Sequence, residues 1–174
     1  MAACAHNPRD FAVVQLLLQT GIKLSELTQL ALSDVELLSV RSLEKKDVGY
    51  LHIRGSERQK ARILPLNRKA CLALNLYLKE RITQKTNSVL FVSRFGTQLG
   101  ARGVEKIIDK YLRSVGISDA SVQSLRHTFG AYHAAMGASI KTLQEAMGYK
   151  DKRSTMIYIS LSGEIRKQMR NNAL

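Results

Sequence analysis

The apolar positions change period twice along the chain. Phe11, Val14, Leu17 and Leu18 recur at helical spacing. Asn7-Pro8 opens that helix, with an asparagine cap and a proline that fits the first turn, and Gly21 closes it. A second short helix is expected from Ser25, its cap, through Leu30, with Glu26 near the positive end of the helix dipole. Ser33-Asp34 reads as a turn and 39–47 as a polar loop. From Val48 the period falls to two: Val48, Tyr50, His52 and Arg54 alternate with Gly49, Leu51, Ile53 and Gly55, which predicts a strand. Ala61 to Leu66 is its hairpin partner, and Val89 to Val92 a short third strand ended by Gly96. Between them Asn67 caps a helix whose apolar face is Cys71, Leu74, Leu78 and Ile82. From about Ala101 the helical period returns, with Val104, Ile107, Ile108, Tyr111 and Leu112 on one helix that stops at Gly116. Further helices are expected over 121–136, 139–147, 152–159 and 163–171, separated by Gly137, Gly148 and Gly163. The pattern predicts one mixed α+β domain over residues 1–174, mainly α, with a small antiparallel three-stranded sheet.

Composition narrows the partner. A chain of 174 residues, 45% hydrophobic and 24% charged, is long enough for a buried core and reads as soluble and globular. No apolar run approaches the ~18 residues of a membrane span, and the N-terminus lacks a signal peptide's architecture. Cys4 and Cys71 show neither metal-ligand nor disulfide spacing, which suits a reducing cytoplasm. Lys and Arg number 27 against 14 for Asp and Glu, a net charge of +13. That excess points to a polyanion, with nucleic acid first; a charge that serves only solubility is the plainer alternative. With no Trp, six Tyr and four Phe, base stacking is poorly served, and a duplex backbone fits better than a single strand. The positive charge gathers on the hairpin, at Arg54, Arg58, Lys60 and Arg62, and again at Lys150, Lys152 and Arg153. These are the candidate DNA-contacting residues.

Five short motifs follow one another in a fixed order: Thr20-Gly21-Ile22-Lys23-Leu24-Ser25-Glu26-Leu27; the basic hairpin ending Arg62-Ile63-Leu64-Pro65-Leu66; Leu125-Arg126-His127-Thr128-Phe129; Met147-Gly148-Tyr149; and Ser154-Thr155-Met156-Ile157-Tyr158. Together they resemble the catalytic domain of the tyrosine recombinase (phage integrase) family, closest in style to its Xer-type members, over nearly the whole chain. The family's separate N-terminal DNA-clamping domain is missing, so a fragment of a longer protein is expected.

The resemblance implies a tyrosine phenol that attacks a DNA phosphodiester to give a 3′-phosphotyrosine link, with no ATP, metal or cofactor. Preorganised arginines stabilise the charge on the phosphorane, a lysine on the hairpin protonates the leaving 5′ oxygen, and two further side chains supply hydrogen bonds. On this sequence Tyr158 falls at the nucleophile position and Arg126 at the second arginine. Lys23 stands where the family has its first arginine, Gln123 where it usually has a histidine, and Tyr149 where it usually has histidine or tryptophan. The hairpin lysine is ambiguous: alignment on Leu64-Pro65-Leu66 puts it near Glu57, while Lys60 reaches the site if the tip is longer, or else is a backbone-contacting charge. His127 and Glu26 read as structural groups, a hydrogen-bonded histidine and a partner holding the second helix.

Lysine keeps Lys23's charge but lacks the bidentate fork, and loss of one oxyanion donor costs roughly 10²–10³ in rate. Glutamine at 123 bonds without acting as acid or base near neutrality. Two readings therefore stand. One is strand cleavage and rejoining in site-specific recombination or mobile-element integration, by a cytoplasmic, nucleoid-associated protein that assembles as a tetramer on double-stranded DNA. The other is a catalytically attenuated or inactive pseudo-recombinase that binds DNA or partners an active relative.

Overall fold

The structure, a computed structural model, describes residues 2–38, 47–57, 60–81 and 88–171. Helix α1 (Pro8–Thr20) begins where expected: the Asn7 side chain accepts from the Asp10 amide, and Gly21 at φ 59° ends the helix with its own amide on the Leu17 carbonyl. Helix α2 (Leu24–Gln29) starts two residues earlier than its sequence suggests. Lys23 rather than Ser25 is the boundary residue, because the Glu26 carboxylate accepts from the Lys23 amide at 2.8 Å and so closes the first turn.

After a 3₁₀ turn at Leu32–Asp34 come strands β1 (Val35–Leu37), β2 (Asp47–Ile53) and β3 (Arg62–Asn67), an antiparallel sheet in the order β1-β2-β3. In the central pair Leu51 faces Leu64, and both side chains are buried. The third strand is β1, not 89–92. Residues 89–92 are extended but make only single bridges, Val89 with Ala31 and Val92 with Gln98. A three-residue strand with Glu36 at its centre carries too short an alternation to be read from pattern, whereas the apolar run at 89–92 is buried for a different reason. Leu90, Phe91 and Val92 pack in the main core, and the Tyr77 hydroxyl and Arg81 guanidinium bind the Leu90 carbonyl.

Helix α3 (Arg68–Glu80) is capped by Asn67 and buries Cys71 and Leu74 along with Ala70, Ala73 and Tyr77; Ile82 lies outside the described residues. Helices α4 (Ala101–Ser114), α5 (Val122–Ala135), α6 (Ile140–Met147) and α7 (Arg153–Asn171) complete the domain. Gly163 does not divide α7, which runs through it without a break. A lone glycine costs a helix only about 1 kcal/mol, and Arg166 secures the second half by donating to the Ala135 and Ala134 carbonyls of α5.

Burial sorts these elements into two clusters. The larger joins α1, the sheet, α3 and α4 around Leu16, Leu17, Leu51, Leu66 and Leu74. The smaller joins α5, α6 and α7 around Phe129, Leu143, Met147 and Tyr158. Gly21 sits at the seam between them: a Cβ there would lie 2.3 Å from the Phe129 ring. Gly21→Ala combines that overlap with a left-handed backbone, which alone costs about 1–2 kcal/mol. Urea denaturation should show a loss larger than this.

Candidate active site

The site is built on the last turn of α6. A helix leaves its final carbonyls without intrahelical donors, at the negative end of its dipole. Here three successive carbonyls each receive a cation from a different part of the chain. Arg62 Nε, from β3, donates to Ala146 O at 2.9 Å. An Arg126 amine, from α5, donates to Met147 O at 2.5 Å, and Lys23 Nζ donates to Gly148 O at 3.3 Å. The other Arg126 amine donates to Gly21 O. Arg126 therefore ties the Gly21–Lys23 turn, α5 and the end of α6 together, and it does so at only 3% exposure.

The α6 helix ends in a left-handed Gly148, φ 63°, and the reversal brings Tyr149 over Arg126, whose guanidinium carbon lies 4.7 Å from the ring centroid. The Tyr149 hydroxyl is 3.2 Å from the Tyr158 hydroxyl. Tyr158 projects from the second turn of α7 into the smaller core and is 1% exposed. Its ring fits because position 130 is glycine: a Cβ there would stand 2.9 Å from the ring. On its other side the hydroxyl meets His127 Nδ1 at 2.8 Å. Burial pushes the Tyr158 phenol well above the ordinary tyrosine range; the Tyr149 hydrogen bond pushes the same way, and the Arg126 charge opposes it.

Lys23 lies among like charges. Burial lowers its pKa most; Glu26 opposes that, while Arg126 and Arg62 lower it further. Glu26 is the counter-ion of the cluster: its oxygens accept from both amines of Arg62 at 2.8 and 2.9 Å, and both side chains are about one-tenth exposed. Arg62, expected from its sequence position as a DNA contact, is mostly buried and paired with Glu26, at the wall of a cleft that it shares with Lys60.

The remaining candidates separate by location. Lys60, Lys150 and Lys152 line a cleft of about 720 Å³ together with Lys141, Glu145 and Tyr149. Lys60 and Tyr149 thus open onto the same space. Arg54 is exposed but bonded to Asp34 at 2.9 Å, and Arg153 is exposed and paired with Asp151. Arg58 lies outside the described residues. Gln123 is exposed at the start of α5 and points its amide toward His127 Nε2, 3.4 Å away, rather than toward Tyr149 or Lys23. The structure brings Arg126, Lys23, Tyr149 and Tyr158 together and puts Gln123 behind His127. His127, read from sequence as structural, touches the tyrosine hydroxyl itself. Its place beside Arg126 in a helix carries no signal of that contact, which depends on where α7 packs.

A buried tyrosine hydroxyl thus lies beside a second tyrosine stacked on an arginine, with a lysine-lined cleft adjoining. The family model described as "Phage integrase family" matches residues 1–164, and the chain belongs to that family. It is 33% identical over 170 residues to tyrosine recombinase XerC of Pelotomaculum thermopropionicum, covering 92% of this chain and 52% of that protein. It is 32% identical over 158 residues to XerC of Thermodesulfovibrio yellowstonii, covering 86% and 49%. The chain thus spans about half the length of these relatives. Among solved structures, XerA recombinase superposes with a TM-score of 0.80 at 27% identity, over 97% of this chain and 59% of that one. A lambda integrase dimer bound to a core site superposes at 0.66 with 18% identity over 90% and 44%, a likeness of fold. The fold is that of a Xer-like tyrosine recombinase catalytic domain.

Two measurements check this geometry. Arg126→Met removes both donors and leaves buried carbonyls at Gly21 and Met147 without them. It should cost about 2–5 kcal/mol in chemical denaturation, whereas Arg153→Met should change little. The raised Tyr158 pKa gives a signed pH dependence. Below pH 10, the ordinary tyrosine value, folded and unfolded chains both hold the proton. Above it the unfolded chain releases the proton first, so stability falls as pH rises. Tyr158→Phe should remove part of the alkaline stability loss that begins near there, read as the difference between the two denaturation-versus-pH curves.

Proposed function

We propose that this chain is the strand-transfer domain of a site-specific tyrosine recombinase, cutting and rejoining double-stranded DNA through a 3′-phosphotyrosine link. The observation that carries the reading is the meeting of Tyr158, Tyr149, Arg126 and Lys23 at the end of α6, within a chain that belongs to the phage integrase family. Tyr158 is the nucleophile. Arg126 and Lys23 hold the scissile phosphate, Tyr149 and Gln123 are supporting hydrogen-bonding groups, and Lys60 in the adjoining cleft protonates the leaving 5′ oxygen. Lys150, Lys152 and Arg153, together with Arg54 and Arg58 on the hairpin, meet the duplex backbone, and a +13 chain makes that binding strongly salt-dependent. The XerH recombinase, of the same fold, has been solved on a difH substrate before and after cleavage. Several copies are expected to assemble on the DNA, in the cytoplasm.

The second reading is a pseudo-recombinase that binds DNA without cutting it. It is favoured by Arg126, whose two terminal amines are engaged by backbone carbonyls, and by lysine at position 23. One experiment separates the two. Duplexes selected from a random pool for binding are nicked next to the expected cleavage positions and incubated with the protein. A denaturation-resistant protein–DNA adduct that Tyr158→Phe abolishes supports cleavage. No adduct, even from the triple variant Lys23→Arg, Gln123→His, Tyr149→His, supports the non-cutting reading.

A further inference from the structure

We propose that His127 is the proton acceptor for the Tyr158 hydroxyl, held in its accepting tautomer by Gln123; this rests on the strand-transfer reading above. The Tyr158 hydroxyl has two polar contacts, Tyr149 at 3.2 Å and His127 Nδ1 at 2.8 Å. Of the two, only imidazole changes charge near neutral pH, and neither Gln123 nor Tyr149 supplies a second such group. The need for a base is also physical. A phenol buried at 1% exposure resists ionisation, so attack requires the proton to leave as the new bond forms. The Arg126 charge, which acts on Tyr158 from one residue before His127 on α5, favours the developing phenolate.

For Nδ1 to accept, its lone pair must be free and the ring proton must sit on Nε2. Gln123, one helical turn before His127, faces that nitrogen at 3.4 Å. The side-chain nitrogen of Gln123 is the atom placed there; with the amide turned end for end, its oxygen accepts from Nε2–H and selects the required tautomer, as second partners of functional histidines commonly do. Gln123 is therefore a positioning residue, acting through His127 and not on the phosphate.

The step balances as follows. The phosphate displaces the Tyr149 hydroxyl, the longer of the two contacts, and Tyr158 Oη bonds to phosphorus while its proton passes to His127 Nδ1. The P–O5′ bond breaks, its electron pair staying on the 5′ oxygen, which takes a proton from the Lys60 ammonium. Rejoining reverses each transfer: the 5′ hydroxyl returns its proton to the Lys60 amine, and the imidazolium returns its own to the departing phenolate.

The test follows adduct formation on the nicked duplex against pH. In the unaltered chain the rate should rise with pH along a limb that depends on His127. His127→Asn can keep a hydrogen bond to the tyrosine but cannot take up its proton, so the rate should fall about a hundredfold and the limb disappear. His127→Ala should regain rate with added imidazole. Gln123→Glu, which sets a carboxylate against Nε2, should move the limb to higher pH. Duplex binding by each variant confirms that it is folded. A His127→Asn rate within about threefold of the unaltered chain, with the limb intact, overturns the proposal while the Tyr158-dependent adduct leaves the strand-transfer reading standing. Failure of the unaltered chain alone to form any adduct overturns this proposal, and failure of the triple variant Lys23→Arg, Gln123→His, Tyr149→His as well overturns both.

Discussion

The carboxyl end of α6 is the joint on which the site depends. Three carbonyls that the helix cannot satisfy are met by Arg62, Arg126 and Lys23, brought from a strand, a helix and a turn far apart in sequence. Three positive groups in so small a volume would repel one another strongly if left alone. They coexist because the helix end is negative, because Glu26 binds Arg62 through two hydrogen bonds, and because the Tyr149 ring lies over Arg126. The smaller apolar cluster and the sheet are joined through these contacts as well as by the Gly21–Phe129 packing. Cohesion of the fold and the placement of Arg126, the arginine proposed to meet the phosphate, rest on the same set of bonds.

That arrangement explains why some features were legible in the sequence and others were not. Helix caps and stops depend on neighbours within a few residues, so Asn7, Asn67, Gly21 and Gly148 could be read directly. The Tyr158 and Arg126 positions were legible as ordered motifs, and the structure brings both to the Tyr149 turn. What escaped was set by long-range packing. Strand β1 is defined by its pairing with β2, since three residues hold almost no periodic signal. Gly163 looked like a stop because glycine often ends helices, but here no positive φ is needed and the chain continues. Arg62 looked like one more hairpin charge; only the approach of α2 to the hairpin shows that it belongs to Glu26. His127 was read as a hydrogen-bonded histidine; its partner, Tyr158, could not be named because it lies 31 residues away.

The lysine at 23 illustrates how one substitution redistributes a task. An arginine there would present a planar fork with a permanent charge, able to hold a backbone carbonyl and a phosphate oxygen together. The lysine ammonium reaches Gly148 O and keeps a single centre of charge, whose pKa is lowered by burial and by its two arginine neighbours. Charge at this corner thus becomes sensitive to what occupies it. An arriving phosphodiester, with its single negative charge, would favour the protonated form, so ligand and proton uptake would be linked here in a way that arginine would not allow.

Helix α7 behaves mechanically as a beam held at two points. Tyr158 is pinned in the smaller core beneath Gly130, and Arg166, eight residues on, is pinned to the last carbonyls of α5. At 1.5 Å per residue the supports stand about 12 Å apart. Gly163, where an added Cβ would meet nothing within 4 Å, lies between them and nearer the second. The two anchors are separate, one apolar and one polar, so the register of the phenol is set by the packing under Gly130 and does not depend on the Arg166 bonds alone.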